Sequence, residues 1–114
     1  MHTGLELAQL SADILKENKA ENILILNVKE QLGITDFFVI ATGQSRPHLK
    51  FLRQELKKQL QNRANRSPDH LEGEPEQGWV LADYEEIIIH LFNENKREYY
   101  DLEGLWADAP RISA

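Results

Sequence analysis

The sequence predicts a single α/β domain with one mixed β-sheet and helices on both of its faces. Apolar runs rich in β-branched and aromatic residues alternate with segments whose leucines recur every three or four residues. The apolar runs contain few polar residues, so the strands need cover on both faces, which helices supply. The chain of 114 residues has the size of one domain, and we assign residues 1–114 to it.

The first part of the chain is expected to contain a helix and a β-hairpin. Leucine and isoleucine recur at helical spacing over residues 7–18, with polar residues between them. Two apolar runs, at residues 23–28 and 37–42, have the composition of buried strands. Because only a short turn at residues 29–33 separates them, the two strands are predicted to pair antiparallel.

A second amphipathic helix is expected after Gly43. Ser45 is a good N-cap, and Pro47 is tolerated in the first turn because the amides of that turn lack internal partners. The helix should end near residues 62–65, and four leucines mark one of its faces. They are Leu49, Leu52, Leu56 and Leu60.

The next segment predicts a second pair of strands. Residues 67–78 resemble a loop, with two prolines and two glycines, although a short strand near residues 70–72 also fits. Residues 79–83 and 86–92 are apolar runs on either side of a turn. This pattern of elements does not reveal the order of the strands in the sheet.

The chain is predicted to close with a short helix and an apolar tail. Asn93 can cap a helix over residues 94–100. Leu102, Leu105 and Trp106 then form a tail that is expected to fold back onto the sheet.

Composition restricts the classes of function. The absence of cysteine excludes disulfides, thiolate zinc ligation and a cysteine nucleophile. No apolar run approaches the ~20 residues of a membrane span, and no signal peptide is visible, so we expect a cytoplasmic protein. The net charge of −6 argues against binding along a phosphate backbone and favours a basic protein partner.

His90 is the most notable titratable residue. The four histidines are scattered, with no pair at metal-binding spacing, so no metal site is expected. Strand alternation places Ile88, His90 and Phe92 on one face of their strand. A histidine in so apolar a run is more often a hydrogen-bonded structural residue than a catalytic base, and that is our prediction for His90.

Two other patterns bear on chemistry. Gly43 and Ser45 lie where a helix begins, a place that favours anions, but the pattern is better explained by a turn and an N-cap. Asp83 and Glu85 are two residues apart, and on an extended strand both carboxylates would face one side and could bind magnesium. A metal-dependent enzyme similar to nucleotidyltransferases therefore remains the alternative.

Three segments, taken in order, resemble one known family. The first covers residues 34–45 (ITDFFVIATGQS), and the second joins Glu72-Gly73 to residues 79–84 (WVLADY). The third covers residues 89–92 (IHLF) and 97–106 (REYYDLEGLW). In this order and at this spacing they resemble the Iojap family of ribosomal silencing factors. The resemblance extends over nearly the whole chain.

Two positions depart from the pattern of that family. Position 85 is Glu where the family often has glycine, and position 27 is Asn where it often has aspartate. Glutamate does not adopt positive φ as freely as glycine, so the geometry of the turn at Glu85 is the feature in question.

The resemblance implies a mixed sheet related to the nucleotidyltransferase fold but without its catalytic set. It also implies a homodimer that binds the large ribosomal subunit through ribosomal protein L14 and sterically blocks joining of the small subunit when nutrients are scarce. We accordingly expect no catalytic residue, cofactor, metal, membrane or direct sequence-specific nucleic-acid contact. A homodimeric scaffold without a ribosomal partner is a further alternative.

We expect the partner to bind one face of the sheet that combines aromatic, apolar and acidic side chains. Tyrosine and tryptophan are frequent interface anchors, although each can equally belong to a core. The candidate residues are Trp79, Leu81, Asp83, Tyr84 and His90, with Glu72 and Tyr100 nearby.

Overall fold

The computed structural model describes residues 2–113 and contains one six-stranded mixed sheet with five helices. In the first half of the chain the elements are α1 (Gly4–Glu17), β1 (Glu21–Asn27), α2 (Lys29–Leu32), β2 (Phe37–Thr42) and α3 (Arg46–Ala64). In the second half they are β3 (His70–Glu74), a 3-10 turn (Pro75–Gln77), β4 (Trp79–Asp83), β5 (Ile87–Phe92), α4 (Glu94–Tyr100), α5 (Leu102–Leu105) and β6 (Arg111–Ile112).

The strands lie in the order β3-β4-β5-β2-β1-β6. The β1–β2 pair and the β4–β5 pair are antiparallel, as the short turns predicted. The central pair, β2 with β5, is parallel and joins the two hairpins into one sheet. All six residues of β2 are buried, because this strand has neighbours on both edges and cover on both faces.

Helices cover both faces of the sheet, as the sequence predicted, but the two covers differ in extent. On the first face the long helices α1 and α3 pack through their apolar sides, and the four leucines of α3 are all buried. On the second face Leu102, Trp106 and Ala109 of the C-terminal segment pack near Phe38 and Phe92. The second cover is therefore short, and the outer strands β3 and β4 are less protected on this face.

The helix ends confirm the predicted caps. Ser45 accepts a hydrogen bond from the His48 amide at 3.1 Å, and Asn93 accepts one from the Lys96 amide at 2.8 Å. Pro47 lies in the first turn of α3. These bonds satisfy amides that have no partner within their own helix.

The structure corrects three expectations. Residues 29–33 form the single helical turn α2, which ends at Gly33 with φ of 76°. A two-residue strand, β6, pairs with β1, although no apolar run in the sequence predicted it. Leu105 is 69% exposed, so only Leu102 and Trp106 of the apolar tail fold back onto the sheet.

Two further findings concern strand β3 and the composition of the helices. The short strand near residues 70–72 exists and extends to Glu74. Among residues 2–113, none of the helices combines the length and the apolar composition of a membrane-spanning segment.

Glu85 adopts a positive φ of 72°, so the turn keeps a backbone that glycine adopts more easily. The amide of Glu85 donates to Asp83 Oδ1 at 2.8 Å, which closes the turn. Arg66 supports the same loop: its guanidinium donates to the Tyr84 carbonyl and to the Glu86 carboxylate, each at 2.7 Å. This ion pair lowers the pKa of Glu86.

We predict that Glu85→Gly raises the free energy of unfolding by about 0.5–1 kcal/mol. A left-handed backbone costs a residue with a Cβ about 1–2 kcal/mol, and the extra flexibility of unfolded glycine offsets only part of that gain. Urea denaturation measures the change. The control is Lys57→Gly at an exposed position of helix α3, which should lower stability by about 1 kcal/mol. An equal loss in both variants would contradict the prediction.

Candidate protein-binding face

One face of the sheet at β3 and β4 remains open, and we call it the open face. Along β4, Val80 and Ala82 are buried under α1 and α3, while the alternate residues point to the other side and are half-buried. On β3 the corresponding side chains are exposed. The open face consists of His70, Glu72 and Glu74 on β3, Trp79, Leu81 and Asp83 on β4, and the neighbouring His90 on β5.

Strand register brings together residues that are far apart in the sequence. Glu72 pairs with Leu81, and Leu81 pairs in turn with His90. Paired residues of adjacent strands point to the same side of a sheet, so these three side chains form one row across the open face. Trp79 lies in the next row, opposite Phe92.

Tyr100 reaches this face from helix α4. Its ring centroid lies 6.4 Å from that of Trp79 and 5.7 Å from that of Phe92. A cavity of about 170 Å³ opens at this point. It is lined by Trp79, His90, Phe92, Tyr100 and Leu102.

Six of the seven candidate residues therefore lie on or beside the open face. Phe92 and Leu102 also line the cavity, and sequence reasoning did not include them in the site. Side-chain alternation along β5 could have identified Phe92, because Phe92 lies on the same face of the strand as His90. The sequence predicted that Leu102 folds back onto the sheet but not that it borders this cavity, because that position depends on how the chain turns after α4.

Tyr84 is the exception, and its assignment to this face was wrong. It follows Asp83 by one residue, so its side chain points to the opposite side of the sheet. There it is 1% exposed and belongs to the core beneath α1 and α3. Burial raises the pKa of its hydroxyl to about 12. Tyr84 is a core residue and cannot contact a partner.

The other aromatic residues divide between core and surface. Trp106 packs edge-on against Phe38 with ring centroids 5.9 Å apart and is half-buried under the C-terminal cover. Tyr99, in contrast, is 77% exposed next to Tyr100.

His90 is buried without a hydrogen bond, which corrects the prediction that it is a hydrogen-bonded structural residue. The residue is 8% exposed, and neither ring nitrogen has a partner among residues 2–113. Phe38 packs edge-on against the imidazole at 4.8 Å, and Phe92 stacks on it at 6.1 Å. Burial lowers the pKa of His90 from 6.5 to about 4, so the ring is neutral at pH 7.

The rim of the open face is acidic. Glu72 and Glu74 are exposed on β3, and Asp83 is half-exposed on β4. His70 is the exposed histidine of these rows, whereas His90 is buried, and the Nε2 of His70 lies 2.6 Å from Glu72 Oε1. A surface with this charge attracts a positively charged partner and repels a phosphate backbone.

The arrangement of Asp83 and Glu85 does not match the extended pair on which the magnesium hypothesis depends. Asp83 Oδ1 accepts the amide hydrogen of Glu85 within the turn, and the positive φ of Glu85 breaks the strand alternation. Within residues 2–113, no group of three or more histidine and carboxylate side chains is arranged to hold a metal ion.

The turn at Gly43 and Ser45 is engaged in internal hydrogen bonds. The amide of Gln44 donates to His48 Nδ1 at 2.9 Å, and Ser45 Oγ accepts from the His48 amide. The adjoining cleft is lined by the carboxylates of Glu21 and Glu94, which would repel an anion. The turn-and-cap interpretation therefore accounts for these residues.

A family model and the named relatives indicate one family, and a solved structure shares the fold. A family model described as "Ribosomal silencing factor during starvation" matches residues 2–114. The ribosomal silencing factor RsfS of Halalkalibacterium halodurans is 38% identical over 107 residues, which cover 94% of this chain and 91% of that protein. The protein of the same name from Bacillus subtilis is 32% identical, with 91% and 87% covered. A crystal structure of a Chromobacterium violaceum protein superposes with a TM-score of 0.87 at 26% identity, covering 93% of this chain and 88% of that one.

We predict that His90 makes the fold sensitive to acid. The unfolded chain protonates this residue near pH 6.5 and the folded chain only near pH 4, so stability is complete above pH 6.5 and falls as the pH drops towards 4. The free energy of unfolding should fall by about 2 kcal/mol between pH 7 and pH 5. His90→Phe should remove this loss and add about 1–2 kcal/mol at pH 7, because it eliminates unpaired buried nitrogens.

Urea denaturation of both proteins at several pH values measures this effect. The lowered pKa of Glu86 acts in both proteins and only below 4.5, so it does not obscure the comparison. Stability curves that stay parallel between pH 7 and pH 5 would contradict the prediction, because they would show that folding does not lower the pKa of His90.

Proposed function

Because the chain belongs to the family of ribosomal silencing factors, we propose that it binds the large ribosomal subunit through ribosomal protein L14 and blocks joining of the small subunit. The observation that carries this proposal is the open face. It combines half-buried apolar and aromatic side chains with an acidic rim, and it lies where the C-terminal cover of the sheet stops.

The charge and the apolar residues of the open face suit a partner protein that itself binds RNA. Proteins that hold a phosphate backbone are rich in lysine and arginine, so their exposed surfaces carry positive charge. The acidic rim supplies the complementary potential, and Trp79, Leu81 and Tyr100 supply the apolar contact. A standard interface buries about 800 Å² on each partner, which a domain of this size can provide.

Silencing then requires occupancy of a surface and no chemical reaction. If the contact area on the large subunit is also needed by the small subunit, the two compete, and the fraction of joined ribosomes falls as the domain accumulates. We propose that this happens in the cytoplasm when nutrients are limiting. The domain would repress translation by remaining bound.

We also propose that the chain forms a homodimer, as the resemblance to the family implies. Analytical ultracentrifugation over a range of concentrations should show a dimer that dissociates on dilution. A single species with the mass of one chain at all concentrations would contradict this part of the proposal.

We further propose that the domain transforms no substrate. In isothermal titration calorimetry with ATP and magnesium, we expect no heat of binding. Nucleotide turnover that requires magnesium and disappears in Asp83→Asn would instead support the enzyme alternative.

The sharpest test of the binding face is Leu81→Arg. Leu81 lies in the middle of the row between Glu72 and His90, and an arginine there would bring a positive charge and extra bulk into the contact with a basic partner. We expect affinity for large subunits to fall at least about 30-fold, which corresponds to the ~2 kcal/mol of an interface hot spot. Co-sedimentation with purified large subunits measures the affinity, and light scattering measures subunit joining.

The matched control is Gln54→Arg, which makes a similar change at an exposed site on α3, on the other side of the sheet. It should bind subunits and block joining like the unchanged protein. If both variants bind normally, the open face is not the contact surface; if the unchanged protein does not co-sediment at all, the proposed function itself is wrong.

A further inference from the structure

The cavity on the open face has the dimensions of a single amino-acid side chain. Its volume is about 170 Å³, and Trp79, Phe92, Tyr100 and Leu102 give it mostly apolar walls. Pockets for metabolites and cofactors are typically larger, about 300–1,000 Å³. A cavity of roughly 150 Å³ accommodates one benzene molecule. The space therefore fits one projecting side chain.

The remaining wall of the cavity is His90, which supplies unused hydrogen-bonding capacity. Both ring nitrogens are buried and lack partners among residues 2–113. A neutral imidazole offers one donor and one acceptor. Its nitrogens are closed to solvent in the free protein, so a polar group that enters the cavity bonds to one of them once the surrounding side chains shift, a common change at interfaces. Burying such a group unpaired is unfavourable, and a ligand that pairs with it recovers that cost on binding.

We propose that this cavity is the anchor pocket for the partner protein. It receives one side chain that has an apolar body and a hydrogen-bonding group at its tip, and the tip bonds to His90. This assignment rests on the proposed function, because the assignment names the chemistry by which the open face binds its partner. Hot-spot residues of protein interfaces characteristically fill desolvated pockets of this kind.

The charges around the cavity favour a basic protein as the source of that side chain. Glu72 and Glu74 lie on the adjacent strand, in the rows of Leu81 and Trp79. A second copy of this chain would bring the same carboxylates and a net charge of −6 against them. The like charges disfavour that occupant, whereas a basic partner is attracted.

The outer wall of the cavity depends on the corner between α4 and α5. Asp101 adopts a positive φ of 44° there, and its Oδ1 accepts the amide hydrogen of Gly104 at 3.1 Å. Arg97 ties the same corner to the sheet by donating to Thr42 Oγ1 at 2.9 Å and to Glu103 at 3.1 Å. These bonds hold Tyr100 and Leu102 in position before any partner arrives.

The first experiment tests the cavity without any partner. Toluene and p-cresol are titrated into the 15N-labelled protein and followed by NMR, since they have the same body and differ in one hydroxyl group. We expect both to shift the signals of the cavity residues, and p-cresol to bind about five- to tenfold more tightly because its hydroxyl pairs with His90. In His90→Phe this preference for p-cresol should disappear.

The second experiment tests the anchor with purified large subunits. His90→Phe and Tyr100→Ala should each weaken binding at least tenfold, whereas Tyr99→Ala, at the exposed neighbouring position outside the cavity, should not. Because His90→Phe is expected to stabilise the free protein, weaker binding by this variant cannot be attributed to unfolding.

Several outcomes would overturn the proposal. They are equal affinity for toluene and p-cresol, signal shifts that avoid the cavity, and normal subunit binding by His90→Phe. Conversion of a dimer to monomers by p-cresol would assign the cavity to a second copy and would overturn it as well. Failure of the unchanged protein to bind subunits, combined with a preference for p-cresol, would reject the proposed function while supporting the chemistry of the cavity.

Discussion

Strands β2 and β5 run parallel at the centre of the sheet, and the rest of the molecule is arranged around this pair. These two adjacent strands carry apolar side chains on both faces and have neighbouring strands at their outer edges. Other elements must therefore pack on both faces of the pair to keep these side chains from water. Helices α1 and α3 provide one cover through long apolar sides. The other cover comes from the short C-terminal segment, which places only a few side chains over the centre of the sheet.

The difference between the two covers creates the open face. The C-terminal segment protects the central strands, but β3 and the outward side of β4 extend beyond it. The residues of this region are therefore only partly protected from water. Trp79 and Leu81 on β4 are half-buried, and the adjacent strand β3 carries exposed carboxylates. Charges on an edge strand also discourage non-specific pairing of sheets, so the acidic rim protects the edge at β3 from such pairing.

His90 is the residue of the proposed anchor pocket that is least favourable for the fold. Its position opposite Ile40 in the parallel pair buries the ring, and its neighbours are apolar or aromatic. A hydrocarbon side chain there would give a more stable isolated protein. The proposed anchor pocket would account for this polar group without a partner in the described chain, because its partner would come from another molecule. Stability and binding then make opposite demands on one position.

The sequence by itself determined the features that depend on local interactions. The caps at Ser45 and Asn93, the helical spacing of the leucines in α3, and the two antiparallel hairpins follow from neighbours within a few residues. Alternation along β5 also placed His90 and Phe92 on the same face correctly. The motifs that resemble the family supplied the functional expectation, and the family comparisons confirmed the membership.

Only the tertiary structure decided the features that depend on distant parts of the chain. The parallel pairing of β2 with β5 joins segments separated by a helix and two strands, and no local pattern specifies it. The turn after Asp83 directs the side chain of Tyr84 into the core. The corner at Asp101 places the side chains of Tyr100 and Leu102 at the cavity. These placements result from packing among elements that meet only after the chain has folded, whereas propensities and caps act between residues that are neighbours from the start.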